Sequence, residues 1–560
     1  MQTQLIECVP NFSEGRDMAV IKQITDEIET VEGVKLLDVD PGAATNRTVV
    51  TFVGEPEPVL EAAVRAGRKA AELIDMSKHT GAHPRFGMMD VCPLVPVSNI
   101  TMEETAKWAH KLGQRLAEEV GLTIYCYEHA ALKPERANLA FVRAGEYEAL
   151  PERLTKPENA PDFGPAKFNA KCGATAVGAR EFLVAYNFNL NTTSVRRANA
   201  IAFDVREKGR PARDPKTGKV MKDEKGEKVW QPGTCPSTKA IGWFIEEYGI
   251  AQISMNLTNI TITPVHVAFD EVCKSATARG LRVTGSELVG LIPLSAMLDA
   301  GRYFLKKQQR STGVSDKELI KIAVKSLGLD DLYEFKPEEK IIEYAIAADD
   351  ATQKLVDLSL TEFVEETASE SPAPGGGSIS AYVGSLGAAL ATMVANLSSH
   401  KKSMESRWQF FSDWADKGKA LHDELNALVD EDTNAFNKII EAARMPDGTA
   451  AEKAAKAAAE VEATKYAILV PFRVMERSLA AFDVIEAMAA DGNPASVSDA
   501  GVGALCARTA VMGAYLNVRI NCKDLEDKAW VDDILARGKK IQEGAIAREK
   551  LVLGIVDTKL

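Results

Sequence analysis

VKLLDVDPGAATNRTVVTFVGEPEPVLEAAVRAGRKAAELI, residues 34–74, sets the pattern of the first half of the chain. Residues 34–40 and 48–53 are rich in Val, Leu and Thr and read as two strands, separated by a Pro-Gly turn. Leu60, Ala63, Val64, Gly67, Ala71 and Ile74 then recur at steps of three and four, which is one face of an amphipathic helix. Strand, strand and helix in succession predict an α/β layer with the helix laid on a sheet. Working outward, residues 5–9, 91–97 and 122–127 add strands. Trp108, Leu112, Leu116 and Val120 share another helical face.

A Pro-rich connection at 157–165 divides this half, and the pattern restarts beyond it. Strands are expected at 182–189 and within 253–262, with helices at 194–207, 241–248 and 265–279. A charged, mixed stretch at 325–340 reads as a linker. From 341 onward the chain is Ala-rich and helical, broken by Gly/Pro clusters at 372–377, 445–448 and 492–494, which predicts a bundle of about six helices. The expected division is therefore an α/β half in two subdomains, 1–165 and 166–324, a linker at 325–340, and an all-α domain at 341–560.

A chain of 560 residues is too long for one ordinary core, in keeping with that division. Apolar residues make up 46% and charged residues 26%, the balance of a globular protein in water. No apolar run reads as long enough to cross a bilayer, and MQTQLIECVPNF lacks a basic stretch leading into an apolar one, so neither membrane span nor secretory signal is expected. The eight cysteines are scattered without a C-x-x-C pair, and no His cluster has zinc-like spacing. This predicts reduced thiols, a cytoplasmic setting and no metal. A net charge of −13 argues against a nucleic-acid partner and leaves small-molecule chemistry as the expectation.

Three stretches carry candidate chemistry. HTGAHPRFG (79–87) holds two of the seven histidines in a loop that glycine and proline keep irregular. An imidazole there beside Arg85 suits general acid–base work with an anion contact, although a loop histidine is as often a surface residue. The spacing H-x-x-x-H does not make a zinc site, because Gly81 and Pro84 oppose a helix. In the helical half, Leu421, Leu425, Leu428, Asp432, Phe436 and Ile439 follow helical steps, which sets Asp432 in an apolar stripe and Asp430 on the other side. Burial there would raise the Asp432 carboxyl into acid–base range; the alternative is a hydrogen bond between helices. Finally, residues 206–228 carry nine Lys/Arg against five Asp/Glu and read as a solvated hairpin.

ECVPNFSEG (7–15), LLDVDPGAATNRTVVTFVG (36–54), GAHPRFGMMDVCPLVPV (81–97), RAGEYEALPERL (143–154), APDFGP (160–165) and GATAVGAREFLVAYNFNL (173–190) resemble the formimidoyltransferase family over roughly 6–307. The resemblance implies transfer of a formimidoyl group from N-formimidoylglutamate to N5 of tetrahydrofolate, with His83 as the acid–base. It also implies folate contacts within Gly164, Pro165, Ala166, Lys167, Phe168, Asn169, Ala170, Lys171, Cys172 and Gly173, although residues 166–172 depart from the family pattern. Asp40, at a strand end, is the candidate to orient the imidazole, or equally a turn carboxylate before Pro41. SPAPGGGSISA (371–381), LVDEDTNAF (428–436) and GAYLNVRINCKDLED (513–527) resemble the cyclodeaminase family, itself similar to bacterial methenyltetrahydrofolate cyclohydrolases. That likeness gives Asp432 the catalytic role in closing 5-formimidoyltetrahydrofolate with loss of ammonia. Gly375, Gly376, Gly377 and Ser378 at a helix N-terminus, with Asn517 and Asn521, are candidate second-site folate contacts. The alternatives for this half are a cyclohydrolase or a non-catalytic scaffold. The family implies tetrahydrofolate as co-substrate, polyglutamylated in cells, and a homo-oligomer.

Overall fold

The computed structural model describes residues 4–42, 46–81, 85–347, 354–523 and 525–560. The chain divides into two units: Met1–Ala300 with Val324–Asp350, and Gly301–Ala323 with Ala351–Leu560.

The first unit begins with β1 (Leu5–Cys8), β2 (Asn11–Phe12), α1 (Met18–Glu29), β3 (Val34–Gly42), β4 (Arg47–Gly54) and α2 (Pro56–Leu73). There follow β5 (Met89–Ser98), α3 (Met102–Arg115), β6 (Thr123–Glu128), the short α4 (Leu139–Val142) and α5 (Glu146–Arg153), and β7 (Ala174–Ala179). The strands make one sheet in the order β3-β4-β1/β2-β5-β7-β6, antiparallel as far as β5 and parallel from β5 through β7 to β6. Alternation decides its faces. Ile6, Cys8, Val50 and Phe52 join Leu60, Ala63 and Val64 of α2 in the core. Glu7, Asn11, Arg47, Val49 and Thr51 lie on the other face and line a cleft.

The sequence reading ends this subdomain at 165, and the structure corrects it. β7 is a central strand of the first sheet, between β5 and β6. ATAVGA shows no alternation because all six residues are buried, and Gly178 lies where a Cβ would meet the Tyr127 ring at 2.5 Å.

The second layer comprises β8 (Val184–Leu190), α6 (Val195–Val205), the paired β9 (Arg210–Pro211) and β10 (Trp230–Gln231), β11 (Thr238–Ile245), β12 (Ile250–Leu257), α7 (Val265–Thr277) and β13 (Val283–Val289). Four of these strands form an antiparallel sheet, β11-β12-β8-β13. The expected helix at 241–248 is largely strand: β11 pairs with β12 from Thr238↔Leu257 to Ile245↔Ile250. Gly242 packs against α6, where a Cβ would stand 2.3 Å from Asn199 N, and Ile241 and Trp243 are exposed on the opposite face. The run IGWFI has the apolar density of a helix, but close packing on α6 fixes it as a strand.

Next come α8 (Leu294–Lys307), α9 (Asp316–Leu327), α10 (Pro337–Lys340) and α11 (Ile342–Ala347). The predicted linker at 325–340 is packed structure. Ser286 N donates to Gly328 O and Ile292 N to Lys340 O, both at 3.0 Å, and Phe335, Ile341 and Ile342 are buried. The expected second subdomain also loses Gly301–Ala323, which cluster with the helical unit. There Thr312 Oγ1 donates to Asp416 Oδ2 at 2.6 Å, and Gly313 lies where a Cβ would meet the Ala415 backbone.

The helical unit contains α12 (Leu360–Thr367), α13 (Gly376–Ser399), α14 (Trp408–Ala443), α15 (Ala450–Asp491), α16 (Val497–Asn521) and α17 (Lys528–Asp557). Three of its five breaks fall at the Gly/Pro clusters; those between α13 and α14 and between α16 and α17 do not. Small residues let helices approach closely: Gly387 of α13 would carry a Cβ 2.9 Å from Gly503 O of α16. The expectation that no apolar run has bilayer length fails at α13, whose 24 residues include an 18-residue window of mean hydropathy 1.5. One side of that helix packs into the bundle, with Ala381, Ala388, Ala391, Val394 and Ala395 in the core, and Leu386, Met393 and Leu397 are exposed.

Candidate active sites

The cleft of the first unit, about 810 Å³, lies between the outward face of the seven-stranded sheet and one end of the four-stranded sheet. Period-two alternation puts Glu7 of β1, with Val9 just beyond it, and Arg47, Val49 and Thr51 of β4 on one wall. Lys239, Asn256, Ala185 and Val289 stand in register across β11, β12, β8 and β13 and form part of the other. Asp90, buried at the start of β5, ties two guanidinium groups into the wall: Arg47 Nη1 donates to its Oδ2 at 2.6 Å, and Arg143 Nη2 donates to the same oxygen. Arg47 also donates to Asn11 Oδ1 through Nε at 2.9 Å and Nη2 at 2.6 Å.

Burial pushes the Glu7 carboxyl up to about 7; Arg180 works against the rise and Glu343 adds to it. Asp38 is also raised, by burial first, against Lys340 and with Asp40. The folded Glu7 keeps its proton to about pH 7, while an unfolded glutamate ionises near its ordinary 4.5. The unfolded chain therefore binds fewer protons across this window, and stability falls as pH rises through it, by about 3 kcal/mol at most. Glu7→Gln is expected to match the parent near pH 5 and to melt at a higher temperature at pH 8. A difference that does not change with pH would sink the assignment.

His83 lies outside the described residues, with Ala82 and Pro84. Its loop is tied down on both sides. His79 is buried and donates from Nε2 to Asn46 O at 2.7 Å. Asn46 donates from Nδ2 to Thr80 O at 2.9 Å and accepts from Gly15 N at 3.0 Å. Asn46 precedes Arg47, so the loop is anchored beside the cleft wall. Arg85 donates to Glu148 Oε1 and to the carbonyls of Met76 and His79, and its guanidinium sits over the Tyr147 ring at 4.9 Å. It thus braces the loop, and it is not part of the cleft lining. Asp40 is exposed at the end of β3 and lines the cleft.

The segment 164–173 lies beside that loop. Tyr147 links them, its ring 5.5 Å from Phe168 and its hydroxyl donating to Ala170 O at 2.6 Å. Met76 N donates to Lys171 O at 2.9 Å and Met88 N to Cys172 O at 2.8 Å. Asn169 Oδ1 accepts from the main chain of Lys171 and Cys172. Gly164, at φ +82°, and Gly173, at φ +68°, adopt the left-handed backbone that glycine permits. Pro165 O accepts from Thr123 Oγ1 at 2.9 Å, and Ala166 and Lys167 are exposed. None of the ten lines the cleft. The groups that do line it and that sequence reading missed are Glu7 and Arg47, charges next to buried strand positions, and Arg143 in the turn after α4, which no pattern marks.

The second site lies wholly in the helical unit. Gly375 is the N-cap of α13, and Gly376, Gly377 and Ser378 form its first turn. Asp432 of α14 reaches this turn, and its Oδ2 accepts from Ser378 N at 2.9 Å and Ser378 Oγ at 3.2 Å. Burial raises the Asp432 carboxyl, and the two Ser378 bonds lower it by less. Gly377 permits the approach, because a Cβ there would stand 2.1 Å from Asp432 Oδ1. A Cβ on Gly376 would stand 3.2 Å from Asn517 Nδ2, so Asn517 joins the site. Asn521 instead bridges helices, donating to Ala467 O at 2.8 Å. The predicted stripe holds through Leu421, Leu425 and Leu428, but Phe436 is 42% exposed and Ala435 takes the buried place. Steps of three and four keep the stripe in place along α14, and Phe436 falls on its edge, where the neighbouring helices decide which flank is covered.

Three family models tile the chain: "Formiminotransferase domain, N-terminal subdomain" over residues 5–180, "Formiminotransferase domain" over 185–347, and "Formiminotransferase-cyclodeaminase" over 359–540. The formimidoyltransferase-cyclodeaminase of Gallus gallus is 43% identical over 556 residues, 99% of each chain. The glutamate formimidoyltransferase of Streptococcus pyogenes serotype M1 is 39% identical over 54% of this chain and 94% of its own length. The methenyltetrahydrofolate cyclohydrolase of Methylorubrum extorquens is 35% identical over 34% of this chain and 89% of its own.

Proposed function

We infer the function from a plain premise: the chain belongs to the formiminotransferase-cyclodeaminase family. It is a bifunctional enzyme that moves the formimidoyl group of N-formimidoyl-L-glutamate to N5 of tetrahydrofolate. It then closes 5-formimidoyltetrahydrofolate to 5,10-methenyltetrahydrofolate with release of ammonia. In the first step N5 attacks the formimidoyl carbon and the bond to the glutamate nitrogen breaks. One proton leaves N5 and one reaches glutamate, a task for a single imidazole titrating near neutrality, which we assign to His83. In the second step N10 attacks the same carbon and gives up its proton, and the C–N bond breaks to release the formimidoyl nitrogen as ammonia. We assign to Asp432, whose carboxyl burial pushes up, the proton donated to that leaving nitrogen.

The observation that carries the second assignment is the Asp432 carboxyl held on the first turn of α13 by Ser378. Purified protein given tetrahydrofolate and N-formimidoylglutamate is expected to yield ammonia and methenyl absorbance in equal amounts. Hydrolysis of supplied methenyltetrahydrofolate, with no ammonia released from the 5-formimidoyl intermediate, would make the second domain a cyclohydrolase, and no product in either channel would leave a scaffold.

The fuller reading is a cytoplasmic, metal-independent homo-oligomer acting on polyglutamylated folate. In support of self-association, Leu386, Met393 and Leu397 share an exposed face of α13, and Val502, Leu505, Leu516 and Ile520 are exposed on α16, which packs against it. A second copy of this chain is the occupant, and sedimentation of the purified protein tests it. In support of polyglutamate binding, residues 206–228 form a hairpin closed by β9–β10 and by bridges at Arg213↔Val220 and Lys222↔Lys228. Lys216, Lys219, Lys222 and Lys225 are exposed on it. Its field is screened within about 8 Å at physiological salt. Changing these four lysines to Ser is expected to lower the catalytic preference for polyglutamyl over monoglutamyl tetrahydrofolate several-fold at low salt and little at high salt. An unchanged ratio would leave a solvated hairpin with no part in binding.

A further inference from the structure

Two arginines that line the cleft meet on one buried aspartate. Asp90 is 1% exposed, and its Oδ2 accepts from both Arg47 and Arg143. Two guanidinium groups thus share one carboxylate oxygen. The three residues come from separate places, the start of β4, the start of β5 and the turn after α4, and both arginines line the cleft. Asn11 holds Arg47 further in place. Arg143 reaches Asp90 through Nη2, and its buried Nε meets no acceptor among the described residues. A planar fork with donors to spare, fixed from behind by a buried carboxylate, suits bidentate capture of another carboxylate.

We propose that Arg143, fixed with Arg47 on Asp90, binds a glutamyl carboxylate in the cleft. The proposal rests on the transferase reading and deepens it. N-Formimidoylglutamate combines two carboxylates with an amidine that is cationic near neutrality, and the cleft matches both ends: Arg47 and Arg143 on one part of the wall, Asp38 and Asp40 on another. The glutamyl carboxylates of tetrahydrofolate offer the same chemistry, so the substrate is settled by kinetics. Asp90 acts through the arginines and is a positioning residue.

The test uses full-length protein carrying Arg143→Met or Arg143→Lys. Arg143→Met is expected to raise KM for N-formimidoylglutamate about 10- to 100-fold, the range of a lost charge-assisted pair, with kcat changed less than about threefold. KM for tetrahydrofolate should stay unchanged. Arg143→Lys, which keeps the charge and loses the fork, should fall between. Calorimetric titration with L-glutamate, the product, should lose its heat in Arg143→Met. A rise confined to KM for tetrahydrofolate would support the carboxylate site and place folate's glutamyl group on it. Unchanged values of both KM, or equal losses of kcat and melting temperature with KM preserved, would overturn the proposal in favour of a purely structural cluster. An unchanged melting temperature of the first unit reports that the variant is folded. If the parent protein performs no transfer, the function reading fails; glutamate titration still judges the site, which stands if parent binds and Arg143→Met does not, and falls otherwise.

Discussion

Asp432→Asn is expected to slow cyclisation of 5-formimidoyltetrahydrofolate by about 10²- to 10⁴-fold, the usual contribution of a positioned general acid, with formimidoyl transfer preserved. The intermediate should accumulate when both substrates are supplied. Asparagine has the shape of aspartate, and its Oδ1 can still accept from Ser378 N and Oγ, so the first turn of α13 keeps its partner. What is lost is an ionisable carboxyl, pushed up by burial, to which the proton for the leaving ammonia is assigned. Gly377→Ala should reproduce much of the defect with the carboxylate intact, because its Cβ would stand 2.1 Å from Asp432 Oδ1 and must displace it. Asp430→Asn serves as contrast. Asp430 Oδ1 accepts from Leu355 N at 2.7 Å, a bond asparagine can replace, and little change is expected. Equal losses at 430 and 432, read as ammonia released per enzyme per second, would remove Asp432 from the chemistry.

Asp432 was legible because a helix makes its own register: residues three and four apart share a face, so a lone carboxylate among leucines stands out. The same logic misplaced Phe436, since which flank of a long helix is covered depends on its neighbours. In the α/β half, the strands seen from sequence were those with Val, Ile or Leu bounded by turns, such as β3 and β4. β7 escaped because a strand buried on both faces and crowded by Tyr127 is built of Ala and Gly, which carry no period-two signal. β11 escaped because IGWFI has no polar alternation and its identity rests on pairing with β12 and contact with α6. The Arg47–Asp90–Arg143 cluster was invisible for a third reason. Its members are brought together by sheet order alone, and no spacing in sequence records that.

The largest effect in the first unit is expected from His83→Ala, which should lower formimidoyl transfer by about 10²- to 10⁴-fold and leave cyclisation of supplied 5-formimidoyltetrahydrofolate intact. The two histidines of the loop can be told apart by what replaces them. His79 donates from Nε2 to Asn46 O, within a net in which Asn46 also holds Thr80 O and Arg85 holds His79 O. Removing a buried donor from such a net costs about 1–3 kcal/mol, so His79→Ala should lower the melting temperature and weaken transfer through the loop. His79→Gln restores an N–H donor at similar reach and should recover most of both. No such rescue is available at His83 if it moves protons, because an amide does not titrate near neutrality, and His83→Gln should be as inactive as His83→Ala. The pH profile supplies the independent readout: the limb of kcat/KM near pH 6–7 expected of an imidazole should be present in the parent and in His79→Gln. Should His83→Gln keep substantial transfer, or His79→Gln lose as much kcat as His83→Ala, the proton-transfer role would pass to His79. The loop's hydrogen-bond net would then be part of the chemistry and not only its frame.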